Sequence, residues 1–235
     1  MKISIKREFG FIEYDVDMQD ATLLEILDHI KSELDSSLAY SSGCRSSICG
    51  SCGVRVNEKE ILACSYKIEE GEKIEPLKNV SVIRDLVVNL DKAYKTNIKA
   101  KAWISEHNSE VKLTHEDEKI NETQSGCILC ALCYSVCPVY TVNEEFLGPF
   151  ALTRLWKVVG DKRETESKEK INTIQTNGVW DCTLCDGCTV VCPQGISSKA
   201  DIEKLQAKSL QHGYINPNFG SFGGGFNSGF DGSPL

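Results

Sequence analysis

The sequence predicts an α+β fold in two parts: a small strand-rich unit over residues 1–92 and a helical unit over 93–215. Three observations predict it. Apolar and polar residues alternate in short runs from Lys2 to about Leu90, the period of half-buried strands. From Asp91 that alternation stops, and stretches such as PFALTRLWKVVGD carry apolar residues at helical spacing. The twelve cysteines fall into three groups of four, one in the first part and two in the second.

The first part opens with two strands. Ile3 and Ile5 alternate with Lys2, Ser4 and Lys6, the Phe9-Gly10 pair breaks the run, and Ile12, Tyr14 and Val16 resume it, which predicts a hairpin. In ATLLEILDHIKSELD, Leu23, Ile26, Leu27, Ile30 and Leu34 share one helical face, with Asp20 or Thr22 as the cap. After a cysteine loop, Val54 to Val56 and Ile61 to Ala63 predict a second hairpin around Asn57 to Glu60, and Ile74 to Leu77 and Val80 to Val88 further strand.

In the second part DKAYKTNIKAKAWIS reads as a helix bridging the two units, and HNSEVKLTHEDEKINETQSG as a polar, partly irregular surface connection. PFALTRLWKVVGD and INTIQTNGVW read as helices. Trp103, Trp156 and Trp180 are expected to pack among them, Trp180 near Cys182. The tail over 216–235 is rich in Gly and Ser, with Phe219, Phe222, Phe226 and Phe230 set singly; such a composition buries too little apolar surface to offset its ordering cost and predicts disorder.

Composition excludes several functions. With 26 basic and 34 acidic side chains the formal net charge is −8, whereas a nucleic-acid surface is basic. No apolar run is long enough to span a bilayer, and the opening MKISIKREFGFIEYDVD lacks the apolar stretch of a signal peptide. There is no nucleophile elbow, phosphate loop or dinucleotide fingerprint, so no catalytic residue is assigned. The histidines His29, His107, His115 and His212 form no pair and read as surface or packing residues.

The cysteine spacing carries the chemistry. Cys44, Cys49, Cys52 and Cys64 follow C-x4-C-x2-C and then a more distant C, the order of a plant-type [2Fe–2S] site. Gly43, Gly50 and Gly53 sit among them and allow positive φ and close approach to sulfur. Hairpin, helix, cysteine loop and further strands together predict a β-grasp ferredoxin domain.

The other two groups, CILCALCYSVCP from Cys127 and CTLCDGCTVVCP from Cys182, share C-x2-C-x2-C-x3-C-P. In two-cluster ferredoxins the fourth cysteine of each such run binds the other run's cluster. One [4Fe–4S] cluster is therefore assigned to Cys127, Cys130, Cys133 and Cys192, and a third cluster to Cys137, Cys182, Cys185 and Cys188. Pro138 and Pro193 fit first helical turns. The competing reading, a structural zinc scaffold, requires cysteines in two pairs across a longer loop, unlike these close-set runs. Metal-bound thiolates suit a reducing compartment.

The order of one [2Fe–2S] motif and two cubane runs resembles the iron–sulfur subunit of succinate dehydrogenase and fumarate reductase. The resemblance covers residues 1 to about 213 and includes CGSCG at Cys49, ILAC before Ser65, VIRDLVVNL at 82–90, CILCALC at Cys127 and EEFLGP at Glu144 to Pro149. It implies electron transfer from an FAD-containing dicarboxylate flavoprotein, through [2Fe–2S] and [4Fe–4S], to a third cluster facing a membrane anchor and its quinone, or the reverse. The chain would then be peripheral to the membrane on the cytoplasmic side, or exported with its partner. Most members of that family lack a cysteine at the position of Cys185 and carry [3Fe–4S] there; all four cysteines here predict [4Fe–4S], as in atypical branches. The family's tryptophan pair after the first C-P is Val139-Tyr140-Thr141-Val142 here, and its histidine in the last run is Thr183. The anchor is thus expected to differ, with a cysteine-rich quinone-reactive subunit as one form. A thiol-linked fumarate reductase or another flavoprotein oxidoreductase is the alternative.

Overall fold

The computed structural model describes residues 1–106 and 108–217. His107 and the phenylalanine-bearing tail fall outside the described residues. A five-stranded sheet has the order β2-β1-β5-β3-β4, built from β1 (Lys2–Arg7), β2 (Gly10–Asp15), β3 (Gly53–Val56), β4 (Lys59–Leu62) and β5 (Lys73–Glu75). β1 and β5 run parallel, and the other pairs are antiparallel. Helix α1 (Leu23–His29) joins Ile3, Ile5, Val54, Val56 and Ile74 in one apolar core through Leu23, Leu24, Ile26 and Leu27. This is the β-grasp arrangement, and with the helical half it makes the α+β fold.

Thr22, not Asp20, caps α1. Its hydroxyl accepts the Glu25 N–H at 3.4 Å while the Glu25 carboxylate accepts the Thr22 N–H at 2.7 Å, a capping box. Asp20 instead pairs with Lys67. The helical chain continues as a wider π-helical turn over Ile30–Leu34. That turn carries Leu34, expected on the buried face, to 51% exposure. In the outer strand β2, Ile12 is likewise half exposed although Tyr14 is buried.

The strand expected over Val80 to Val88 is a separate hairpin, β6 (Ser81–Arg84) and β7 (Val87–Asn89). Asp85 at its turn is almost fully buried. Its carboxylate accepts from Arg7 Nε at 2.7 Å and from the Ala39 N–H at 2.8 Å. Arg7 also donates to Tyr14 Oη at 2.6 Å and to Asp35 at 2.5 Å, so one guanidinium ties hairpin, sheet and the loop after α1.

The helical part comprises α2 (Asp91–Lys99), α3 (His115–Lys119), α4 (Glu122–Ser125), α5 (Leu132–Ser135), α6 (Gly148–Val159), α7 (Ser167–Thr173), α8 (Gly187–Val190) and α9 (Ser198–Gln211). α6 is central: Phe150, Ala151, Leu152 and Leu155 enter a core with Ala93, Ile171, Ile202 and Leu205. α9 has no counterpart in the sequence reading, because its polar residues dominate and its buried face is only Asp201, Ile202, Leu205 and Ser209 after Ser198. α7 covers only the start of INTIQTNGVW. Trp180 is buried and Trp156 partly buried in this core, but Trp103 is 45% exposed.

The two cores meet through the first cubane run. Leu132 belongs to the core of the sheet. The Ser135 hydroxyl donates to Glu60 at 2.8 Å and accepts the Lys78 N–H at 2.8 Å. The Asn79 amide nitrogen lies 2.9, 3.1 and 3.1 Å from the carbonyls of Tyr134, Ser135 and Cys137.

Removing a partner from a buried charge pair costs about 3 kcal/mol or more. Asp85→Ala should lower unfolding stability by about 3 kcal/mol, and Asp85→Asn by less, because an amide oxygen still accepts one of the two hydrogen bonds. Urea unfolding of the iron-loaded protein measures both; equal and negligible losses would rule out this role for Asp85.

Candidate metal centres

All twelve cysteines are described and free of disulfide bonds. The first group surrounds a loop between α1 and β3. Cys44 Sγ receives the N–H groups of Ser46, Ile48 and Cys49 at 3.4, 3.3 and 3.2 Å. Cys49 Sγ receives the Cys44 N–H, and Cys64 Sγ the Ser47 N–H, both at 3.3 Å. Donors aimed inward at sulfur favour negative charge there. Hydrogen bonds from Ser51 and Cys44 accordingly bring the Cys49 thiol down to about 6. Burial pushes Cys52 up to about 11. At Cys64 burial works upward, but the Ser47 hydroxyl and N–H outweigh it and the thiol is lowered.

The glycines of this loop divide the two roles expected of them. Only Gly50 of the three has positive φ; the other left-handed positions are Arg45 and Ser47. Gly43 and Gly53 are needed for space. A Cβ on Gly43 would lie 2.8 Å from Cys49 Sγ, and one on Gly53 3.1 Å from Leu132. Gly50 meets both demands, since its Cβ would lie 2.7 Å from Cys130 Cβ and 2.9 Å from the Ile128 carbonyl. The first cysteine loop therefore touches the second directly at Gly50. Gln194, beside Cys192, also donates to the Ser47 carbonyl at 3.4 Å.

The second and third groups are interleaved. One cavity is lined by Cys127, Cys130, Cys133 and Cys192, with Thr153 and Ser198 on its wall. Another is lined by Cys137, Cys182, Cys185 and Cys188. Each thus takes three sulfurs from one run and the fourth from the other. The backbone repeats to achieve this: Leu129 and Ala131 in the first run, and Leu184 and Asp186 in the second, all take left-handed φ. None of the four is a glycine, and only the Asp186-Gly187 pair is a recognisable turn dipeptide. The short helices α5 and α8 carry Cys133 and Cys188. Pro138 opens a 3-10 turn over Pro138–Thr141, but no helix begins at Pro193.

These sulfurs are less well served by donors. The Leu184 N–H donates to Cys182 and the Ile196 N–H to Cys192, each at 3.4 Å, and backbone groups of Leu132 and of Val139 and Tyr140 face Cys130 and Cys137. Burial pushes Cys130 and Cys137 up to about 11, Cys188 to about 12, and Cys133 well up. Such thiols hold their protons until a metal displaces them. A zinc ion needs its donors converging on one point. Among the described residues no three or more His, Cys, Asp or Glu side chains converge in that way; the sulfurs instead ring cavities, which fits multi-iron groups. None of the described histidines lines either cavity.

A β-grasp unit with four cysteines in one loop, joined to a helical unit with two crossed cysteine cages, defines a three-centre iron–sulfur protein. Residues 5–95 match the 2Fe-2S iron-sulfur cluster binding domain model and residues 123–196 the 4Fe-4S dicluster domain model. The chain is 36% identical over 202 residues to the fumarate reductase iron-sulfur subunit of Escherichia coli, covering 81% of this chain and 82% of that one. It is 32% identical over 212 residues to the 8-methylmenaquinol:fumarate reductase iron-sulfur subunit of Wolinella succinogenes, covering 84% and 66%. It is 34% identical over 225 residues to an uncharacterized iron-sulfur protein of Methanocaldococcus jannaschii; that match covers 93% of this chain but 45% of the relative. Its fold matches a chain of the Mycobacterium smegmatis Sdh1 complex in the apo form, with TM-score 0.81, 24% identity, and coverage of 92% and 98%. The chain belongs to the family of succinate dehydrogenase and fumarate reductase iron–sulfur subunits.

Gly50→Ala should leave iron content near normal while forcing the first and second cysteine loops apart. EPR of the fully reduced protein should then lose line broadening from spin–spin interaction between those centres. Unaltered broadening would mean that the Gly50–Cys130 contact does not set their separation.

Proposed function

We propose that the chain relays single electrons between an FAD-containing, dicarboxylate-reactive flavoprotein and a membrane anchor or cysteine-rich quinone-reactive subunit, as part of a succinate dehydrogenase or fumarate reductase. The carrying observation is the contact sequence of three cysteine cages: Gly50 of the first against Cys130 of the second, and Cys133 of the second, on α5, followed within four residues by Cys137 of the third. When bound, [2Fe–2S] and [4Fe–4S] groups supply one-electron sites at cysteine sulfur. Cys44, Cys49, Cys52 and Cys64 would hold the first; Cys127, Cys130, Cys133 and Cys192 the second; Cys137, Cys182, Cys185 and Cys188 the third, with four sulfurs supporting [4Fe–4S].

The protein's own part is to hold and insulate. Leu132, Phe150 and Ile196 line the middle cavity and keep water from its sulfurs. The N–H groups around Cys44 and Cys49 offset negative charge at the more exposed end. At the other end Cys185 is exposed, and Val142 and Val190, five residues after Cys137 and Cys185 in the chain, are 87% and 80% exposed, apolar surface suited to an anchor subunit. No helix among the described residues is long and apolar enough to cross a membrane, so attachment would be peripheral, on the cytoplasmic side if the thiolates form in a reducing compartment.

A thiol-linked fumarate reductase, or a relay for another flavoprotein, is the second reading. One observation favours it: Val139-Tyr140-Thr141-Val142 stands where the family that the chain resembles carries a tryptophan pair.

The anaerobically purified native complex should oxidise succinate with a quinone analogue or reduce fumarate with a low-potential donor. Turnover in neither direction rejects the first reading, and fumarate reduction with thiols alone selects the second. Cys185→Ser should convert the third centre to [3Fe–4S] and add that centre's signal to the oxidised EPR spectrum; an unchanged spectrum would exclude Cys185 as a ligand.

A further inference from the structure

Nine buried side-chain polar atoms among the described residues have no hydrogen-bond partner, and five of them lie on three packed helices. They are Asn121 Oδ1 and Gln124 Oε1 at α4, Thr153 Oγ1 and Trp156 Nε1 on α6, and Asp201 Oδ2 on α9. The spacing repeats at i, i+3 on each helix, with Lys204 completing the pair on α9, so each pair lies on one face. Three of them, on Gln124, Thr153 and Asp201, belong to side chains that meet around one carboxyl, whereas Asn121 Oδ1 lies toward Gly160.

The Asp201 carboxyl is the hub. The residue is 0% exposed. Its Oδ1 accepts from Gln124 Nε2 at 2.8 Å and lies 3.5 Å from Lys204 Nζ. The Thr153 hydroxyl faces the carboxyl without closing a hydrogen bond of normal geometry to Oδ2, and no other donor reaches that oxygen among the described residues. A buried carboxylate oxygen without a donor is costly. A proton on Oδ2 would turn it into a donor, with acceptor capacity in the Thr153 and Gln124 oxygens. Thr153 in turn lines the cavity of Cys127, Cys130, Cys133 and Cys192, so the carboxyl is one side chain from that centre. On the outer side, an open cleft of about 530 Å³ reaches Asn121 and Ser125, the residues that flank Gln124 on α4.

We propose that Asp201 is a proton-accepting site coupled to reduction of the middle centre, with Gln124 and Thr153 linking it to the outer cleft and to the cysteine cavity. The inference rests on the relay reading above. One electron arriving from the preceding centre of the relay is matched by one proton taken from water onto Asp201 Oδ2; oxidation returns both. The driving force is electrostatic: an added negative charge in a low-dielectric interior raises the proton affinity of a nearby carboxylate.

The surroundings agree. Burial raises the affinity of Asp201 for its proton, opposed by Gln124, Lys204 and Thr153. From α4 and α6 the carboxyl meets these neutral partners, and on its own helix the charged group facing it is Lys204. α8 carries no charged residue, and the buried Lys170 of α7 is occupied by Glu164 and Ser105.

EPR-monitored redox titrations of the full chain, purified without air, test this over a series of pH values. One of the two cubane potentials should become more negative as pH rises, because reduction then takes its proton from a scarcer supply; the other should stay constant. Asp201→Asn should abolish the dependence while keeping both cubane signals. Gln124→Leu removes a donor that favours the charged carboxyl, and so should move the sloping range to higher pH; it also decides the matter if Asp201→Asn does not fold. A wild-type pair of pH-independent potentials, a slope retained in Asp201→Asn, or a range unmoved in Gln124→Leu would each overturn the inference. Absence of cubane signals from the wild type would instead overturn the relay reading.

Discussion

The crossing of Cys137 and Cys192 between the two runs is the constraint on which the helical half depends. Neither cavity has four sulfurs until both runs are in place. The chain between them must therefore leave after Cys137 and return at Cys182 with its ends matched. α6 and α7 are that return path, and the apolar face of α6 is the surface on which it packs. Closing so long a loop has an entropic cost that iron held by both runs would offset, as any cross-link does.

The two halves treat sulfur in opposite ways. Around Cys44 and Cys49 the backbone supplies a cluster of N–H donors, and the thiol of Cys49 is acidified before any metal is present. In the helical half, burial dominates and most of the thiols are pushed up. Hydrogen bonds to sulfur and solvent exposure are among the factors that set cluster potentials. The loop after α1 is thus built to carry negative charge near solvent, whereas in the crossed cages a metal would have to displace protons that burial holds on sulfur.

The sequence announced the parts that obey simple periods. Strand alternation, the face of α1 and the three cysteine patterns were all legible, because each is a local repeat. What escaped it depended on tertiary placement. Leu34 lost its buried position to a π-helical turn with no sequence mark. α9 was hidden because its inner face includes Asp201 and two serines, polar residues that become buried only against α4 and α6. The left-handed turns at Leu129, Ala131, Leu184 and Asp186 carry no glycine; their conformation is imposed by where the sulfurs must point. Gly50 could be read as a flexible loop residue, but not as the place where one cysteine loop meets the next.

Exposure along the series of cages follows a pattern that a scaffold would have no reason to adopt. Cys44 and Cys49 at one end are exposed, as is Cys185 at the other, while none of Cys127, Cys130, Cys133 and Cys192 is. A relay needs open ends, where partners bring their own redox groups close, and a closed middle, where water would drain charge stabilisation away from the next step. Both domains contribute to closing that middle: Gly50 and Ser47 press on it from the sheet side, and α6 and α9 wall it from the helical side. With all four of its cysteines part-buried, hydration offsets only a share of any charge added there, and a side chain already inside supplies more. Asp201 is the buried carboxyl in that position.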